Sequence, residues 1–205
     1  MTVSGNFPMH HPLNPGGNVS RTQLLPCLVL LAALCSVLLP QHADSGESQT
    51  WLHEIRVGVL DHDTDNLWSD SSREDGIDYN AELIFAPSLP LWHGTLRPNL
   101  GASMNDRGNT SKIYGGGVWQ YLWRNGFLLD LGLGLALHDG ETDNLLAPDR
   151  KQLGSTLLFH ISAEVGYCLT DHSRLLLMFD HISNGYLADP NEGLDTLGIR
   201  YGYLF

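Results

Sequence analysis

The stretch "FLLDLGLGLALHDG" constrains the fold of this chain more than any other. Leu129, Leu131, Leu133, Leu135 and Leu137 occupy alternate positions, with Asp130, Gly132, Gly134, Ala136 and His138 between them. Successive side chains of a β-strand point to opposite faces. As a strand, this stretch therefore has one face of hydrocarbon and one of small and polar groups. Eight segments in all show this period of two, near residues 53–62, 76–85, 95–105, 112–122, 126–138, 154–169, 173–183 and 194–205. Past residue 51 the chain carries no long 3.6-residue period.

The second face says which medium the hydrocarbon meets. In a soluble sandwich or a lipocalin-like barrel the leucines form the core, and the opposite positions should be rich in exposed lysine and glutamate. Those positions instead hold Arg56, Asp78, Asn80, Glu82, Arg97, Asn99, Gln120, Asp130, His160, Glu164, Arg174, Asp180 and Arg200, charges of both signs mixed with glycine. Such a face suits the inside of a small barrel, with the apolar face turned to lipid. Hydrocarbon offers no partner to an open sheet edge, so the sheet must close. The expected fold is all-β, an eight-stranded antiparallel transmembrane outer-membrane β-barrel.

The connections agree with that fold. Those at 61–75, 106–111, 139–153 and 184–193 are mostly longer than those at 86–94, 123–125 and 170–172, the outer-membrane pattern of long loops outside and short turns in the periplasm. The acidic tract 61–75 reads as a solvated loop. The final Tyr201, Tyr203 and Phe205 alternate, like the C-terminal aromatic signal of outer-membrane barrels.

Residues 1–43 stand apart. Arg21 precedes an apolar run at 24–40, followed by the small and polar "QHADSGES", the order of a secretory signal peptide cut near Ala43. The run contains Pro26 and is shorter than the roughly 20 residues a spanning helix needs. The barrel domain is then expected over 44–205, in the bacterial outer membrane. Cys27 and Cys35 leave with the leader, so Cys168 has no partner for an intramolecular disulfide or a thiolate metal site. A net charge of −12 argues against nucleic-acid binding.

The last hairpin breaks the pattern. Leu175, Leu177 and Phe179 share the outward row, and His181 and Ser183 continue it. Asp195 lies in the row of Leu197, Ile199, Tyr201 and Tyr203 on the neighbouring strand. Polar side chains on a lipid-facing surface cost about 1 kcal/mol or more each, depending on depth, so stability does not explain them. They fit a nucleophile, a base and an orienting acid: a serine needs a histidine to take its proton, and a carboxylate fixes the imidazole tautomer. Asn184 carries a donor suited to a developing oxyanion. A polar rim at the strand ends is the competing explanation. The same His-Ile-Ser string at His160 and Ser162 has the opposite parity, which points it, with Glu164, into the barrel as a hydrogen-bonded network.

The sequence "DHISNGYLADPNEGLDTLGIRYGYLF" resembles the C-terminal hairpin of the PagL-type lipid A 3-O-deacylases, also called acyloxyacyl hydrolases, and the order of eight segments matches that family to the end. In the family a His-x-Ser-Asn motif, followed by Pro-Asn-x-Gly and an acidic residue, forms a His-Ser-Glu triad on the lipid-facing outside of an outer-membrane barrel. The resemblance implies His181 as general base, Ser183 as nucleophile, Asp195 as the acid and Asn184 as an oxyanion donor. It departs in having Asp195 where the family has Glu, and Tyr186 where a family glycine offers its backbone N–H. The implied reaction is hydrolysis of an ester-linked acyl chain, at the 3-O position, on lipid A of lipopolysaccharide in the outer leaflet, with no metal or organic cofactor. The expected partners are that lipid and the membrane, with a homodimer open to it. A non-catalytic structural or adhesion barrel and an outer-membrane phospholipase are the alternatives.

Overall fold

The computed structural model describes residues 50–69, 72–143 and 149–205; the expected leader and its cut near Ala43 lie outside the described residues. Nine strands follow one another: β1 (Leu52–His62), β2 (Ile77–Phe85), β3 (Leu89–Leu91), β4 (Gly94–Asn105), β5 (Lys112–Leu122), β6 (Phe127–His138), β7 (Leu157–Cys168), β8 (Ser173–Ser183) and β9 (Leu194–Leu204). Each long strand pairs antiparallel with its sequence neighbour, and β1 pairs with β9, so the eight long strands close into a barrel without a free edge. β3 is the departure from the eight expected segments. Pro87 has no N–H to give the ladder, which breaks after Phe85 and resumes where Leu89 faces Leu96. The turn that reverses the chain is consequently tight, with Trp92 and His93 both at positive φ, 44° and 67°.

The period of two decides the two surfaces. Val57, Val59, Leu100, Met104, Leu131, Leu133, Val165, Leu177 and Ile199 are all exposed on the outer wall, an apolar area far beyond what a soluble monomer leaves in water. At the end with short turns, Trp51–Phe85, Tyr121–Trp123, Phe127–Tyr167 and Tyr203–Phe205 form ring pairs with centroids 4.7–5.7 Å apart, an interfacial aromatic girdle. No helix among the described residues is long and apolar enough to cross a membrane; the crossing is made by strands.

The lumen is packed with ions. Arg56, with no exposed surface, reaches Glu54 at 2.9 Å, Glu164 at 2.8 Å and also Asp130. Arg200 pairs with Glu82 and stands 3.4 Å from Glu164. His160 meets Asp180 at 3.2 Å and stacks on Tyr114, so the second His-Ile-Ser string does face inward. Towards the long-loop end the polar filling gives way to an apolar plug of Tyr114, Ala136, Leu153, Leu158, Ile182 and Leu194.

A buried charge is tolerable only while its partners remain, and removing one member of such a set costs about 3–5 kcal/mol. Arg56→Ala takes the shared cation from three buried carboxylates and should lower unfolding free energy by about that amount, read as a shifted urea midpoint for the barrel refolded in lipid vesicles.

Candidate active site

The β8–β9 ladder sets Phe179 opposite Leu197 and His181 opposite Asp195. Directly opposed residues on one face have Cβ atoms about 4.5–5.5 Å apart. That separation lets even the short aspartate side chain reach an imidazole, and His181 Nδ1 lies 2.6 Å from Asp195 Oδ1. With Nδ1–H given to the carboxylate, Nε2 carries the lone pair. Ser183 follows two residues along the same row, about 6.6 Å further on by the strand rise. It is half-buried and opposite Phe159 of β7. Among the described residues its hydroxyl has no hydrogen-bond partner.

Parity alone has this row looking into lipid. The side of the barrel is as expected, but the pair is roofed: Asp195 has 0% and His181 5% of its surface exposed. Within the acidic tract 61–75, read from sequence as a solvated loop, residues 64–69 fold back onto the outer face. Thr64 N–H donates to the Asp195 carbonyl at 3.0 Å, and the N–H groups of Trp68 and Ser69 each donate to Asp195 Oδ2 at 2.6 Å. The Trp68 ring lies on the imidazole, centroids 4.6 Å apart and planes 12° from parallel. A buried carboxylate requires such donors, because desolvation without them costs several kcal/mol.

This loop is tied to the others. Glu74 accepts His62 Nε2 at 2.9 Å, Thr110 N–H at 2.9 Å, the Thr110 hydroxyl at 3.0 Å and Lys151 N–H at 3.0 Å. Arg73 pairs with Glu192 of the last loop at 2.6 Å. Burial alone raises the Glu74 carboxyl, but the hydrogen bonds from His62, Thr110 and Lys151 outweigh it and bring it down from 4.5 to about 2.

Beyond Ser183 the chain turns sharply. Gly185 and Tyr186 are both left-handed, φ 62° and 63°, and Leu187 N–H closes back on the Asn184 carbonyl at 3.2 Å, a type I′ turn. The Asn184 side chain, expected as an oxyanion donor, sits elsewhere in the structure: Nδ2 donates to the carbonyls of Leu153 at 3.0 Å and Pro190 at 2.8 Å. Both of its amide protons are spent holding the loop. The N–H groups next to the serine without a hydrogen bond among the described residues are those of Gly185 and Tyr186. A cavity of about 250 Å³ opens beside them, lined by Leu135, Leu157, Phe159, Asn184, Leu187 and Ala188. Among the described residues no group of three His, Cys, Asp or Glu side chains is placed to hold a metal ion.

Trp68, Ser69 and Gly193 were missing from the sequence-level site. The only hint of the first two was an apolar Leu67-Trp68 pair inside a run of aspartates. Gly193 sits at φ 65°, and a Cβ there would stand 2.9 Å from His181 Cε1.

Known proteins resemble the chain at both levels. A family model described as Lipid A 3-O-deacylase (PagL) matches residues 74–204. The lipid A deacylase PagL of Bordetella bronchiseptica is 28% identical over 189 residues, spanning 87% of this chain and 93% of that protein. The crystal structure of the outer membrane enzyme PagL aligns with a TM-score of 0.54 at 18% identity, over 73% of this chain and 99% of that one, which shows the shared barrel. Barrel and matches together define an ester hydrolase of the bacterial outer membrane. More particularly, the chain belongs to the lipid A 3-O-deacylase (PagL) family.

Two outcomes follow from this geometry. Glu74 has a folded value below its unfolded one, so its contribution to loop stability is complete above pH 4.5 and is lost as pH falls through about 2; pepsin cleavage within 63–76 should be slow at pH 4.5 and fast near pH 2. Gly193→Ala adds a methyl against the imidazole edge in a strained backbone. Ester hydrolysis by the detergent-solubilised protein should fall at least about tenfold, while the heat-modifiable gel mobility of a folded barrel persists.

Proposed function

We propose that the protein removes an ester-linked acyl chain, at the 3-O position, from lipid A of lipopolysaccharide in the outer leaflet, by a Ser-His-Asp mechanism. The observation that carries this reading is the 2.6 Å pair of His181 Nδ1 and Asp195 Oδ1 on the outer wall, in one row with Ser183. Family membership and the relative named as a lipid A deacylase support the substrate.

In this mechanism Asp195 accepts Nδ1–H and fixes the tautomer, leaving Nε2 to take the Ser183 proton as its oxygen attacks the ester carbonyl. His181 then returns that proton to the departing sugar hydroxyl, which completes acylation of Ser183. A water deprotonated by His181 attacks the acyl-serine, and the fatty acid leaves with the serine restored. Oxyanion stabilisation falls to the backbone N–H at Gly185, on the turn that the Asn184 amide secures. The apolar cavity beside Phe159 and Leu187 is a seat for the acyl chain, entered laterally from the leaflet. The site lies among the long loops, which the outer-membrane pattern puts at the cell surface, and only that leaflet holds lipopolysaccharide. One copy suffices for these steps; crosslinking in intact membranes tells whether a homodimer forms.

Lipid A from a host expressing the wild-type chain should lose one ester-linked acyl chain by mass spectrometry, and Ser183→Ala should abolish that loss, about 10⁴-fold or more in rate, with the barrel still inserted. Unchanged lipid A with the folded wild-type protein leaves the non-catalytic barrel. Release of fatty acid from phospholipid alone, offered beside lipid A, leaves the phospholipase.

A further inference from the structure

The geometry points to Trp68 as a positioning residue that holds the His181 ring in the plane its reaction needs, with the first long loop delivering it; the inference rests on the reaction proposed above. A single hydrogen bond to Asp195 is a pivot, about which an imidazole still swings out of plane. The indole removes that freedom by lying flat on one ring face, 4.6 Å away and 12° from parallel, while Gly193 closes on the Cε1 edge. Trp68 acts on both groups, its ring on the imidazole and its N–H on the carboxylate. The N–H groups of Trp68 and Ser69 occupy Oδ2 of Asp195, which leaves Oδ1 to His181. Nε2 is then left to take the serine proton in the reaction proposed above.

Trp68 is 60% exposed, so burying it contributes little to the fold, and nothing in the barrel core requires a tryptophan there. Its one ring partner among the described residues is His181. The imidazolium formed when His181 takes the serine proton also lies against the indole face, a cation–π contact made only in the charged state. Nor is the loop a loose flap. Asp63 accepts the N–H groups of Arg73 at 2.6 Å and Glu74 at 3.0 Å and pairs with Lys151 at 3.2 Å, and His62 grips Glu74 and Asp78 at 2.9 and 2.8 Å. Thus residues beyond the last hairpin, in a stretch with no recognisable catalytic motif, set the orientation of the base.

The test compares W68A and W68F with the wild type, each checked for the folded-barrel gel mobility. A misplaced base costs rate and not affinity, so W68A should lose about 10- to 100-fold in kcat on lipid A with KM nearly unchanged, and W68F should recover most of it. Independently of activity, the wild-type imidazole Nδ1–H should give a sharp downfield proton resonance, kept in W68F and broadened or lost in W68A. A W68A variant with wild-type kcat, a loss confined to KM, or an unaltered imidazole resonance overturns the inference. If the wild type leaves lipid A intact, the proposed reaction fails, and the resonance comparison still judges the positioning role.

Discussion

In hydrocarbon every backbone N–H and C=O must find a partner within the protein, and the rest of this structure answers to that requirement. Pairing β1 with β9 satisfies it by abolishing the sheet edge. Closure then divides all side chains between wall and lumen by parity. The lumen of an eight-stranded barrel is only wide enough for side chains, so the charges sent there must neutralise one another, as Arg56 does with three carboxylates and Lys112 with Asp180. The wall has the reverse problem, since a polar side chain facing outward has no lumen partner and needs a cover of its own. At His181 and Asp195 that cover is made by Trp68 and Ser69.

The two repeat distances of a sheet arrange the reactive groups. Across the ladder, neighbours stand close enough for a direct hydrogen bond, and there the acid meets the base. Along the strand, the next residue of the same row is about 6.6 Å away, and there Ser183 stands clear of the pair, half open beside the apolar cavity. A sheet surface has no natural concavity. Here the walls are supplied by loops from both sides, Trp68 over the imidazole and the 184–188 turn beyond the serine.

Much of this was legible because strand parity is a local property. Counting by twos from Leu175 gives the outward row through Ser183, and the same count separates His160 and Ser162 from His181 and Ser183, as the histidines' partners show, Asp180 in the lumen for one and Asp195 on the outer wall for the other. What escaped depends on contacts between residues far apart. The path of residues 64–69 is dictated by Asp195, more than a hundred residues later, and an acidic tract reads as solvated until that partner is known. Asn184 lies beside the serine in sequence, but the carbonyls of Leu153, from another loop, and Pro190, further along its own, claim its amide. β3 was hidden for a covalent reason: proline at 87 interrupts a strand that the apolar pattern would have continued.

The apolar plug beneath the long loops bears on the membrane as a barrier. Leu153, Leu194 and Ile182 are all but removed from solvent, and Arg56 and Arg200 further down are equally so, which leaves the axis of the cylinder occupied by protein from both directions. Such a cylinder is not a conduit. A membrane can hold many copies of such a cylinder without opening a path for small solutes through the wall that contains them.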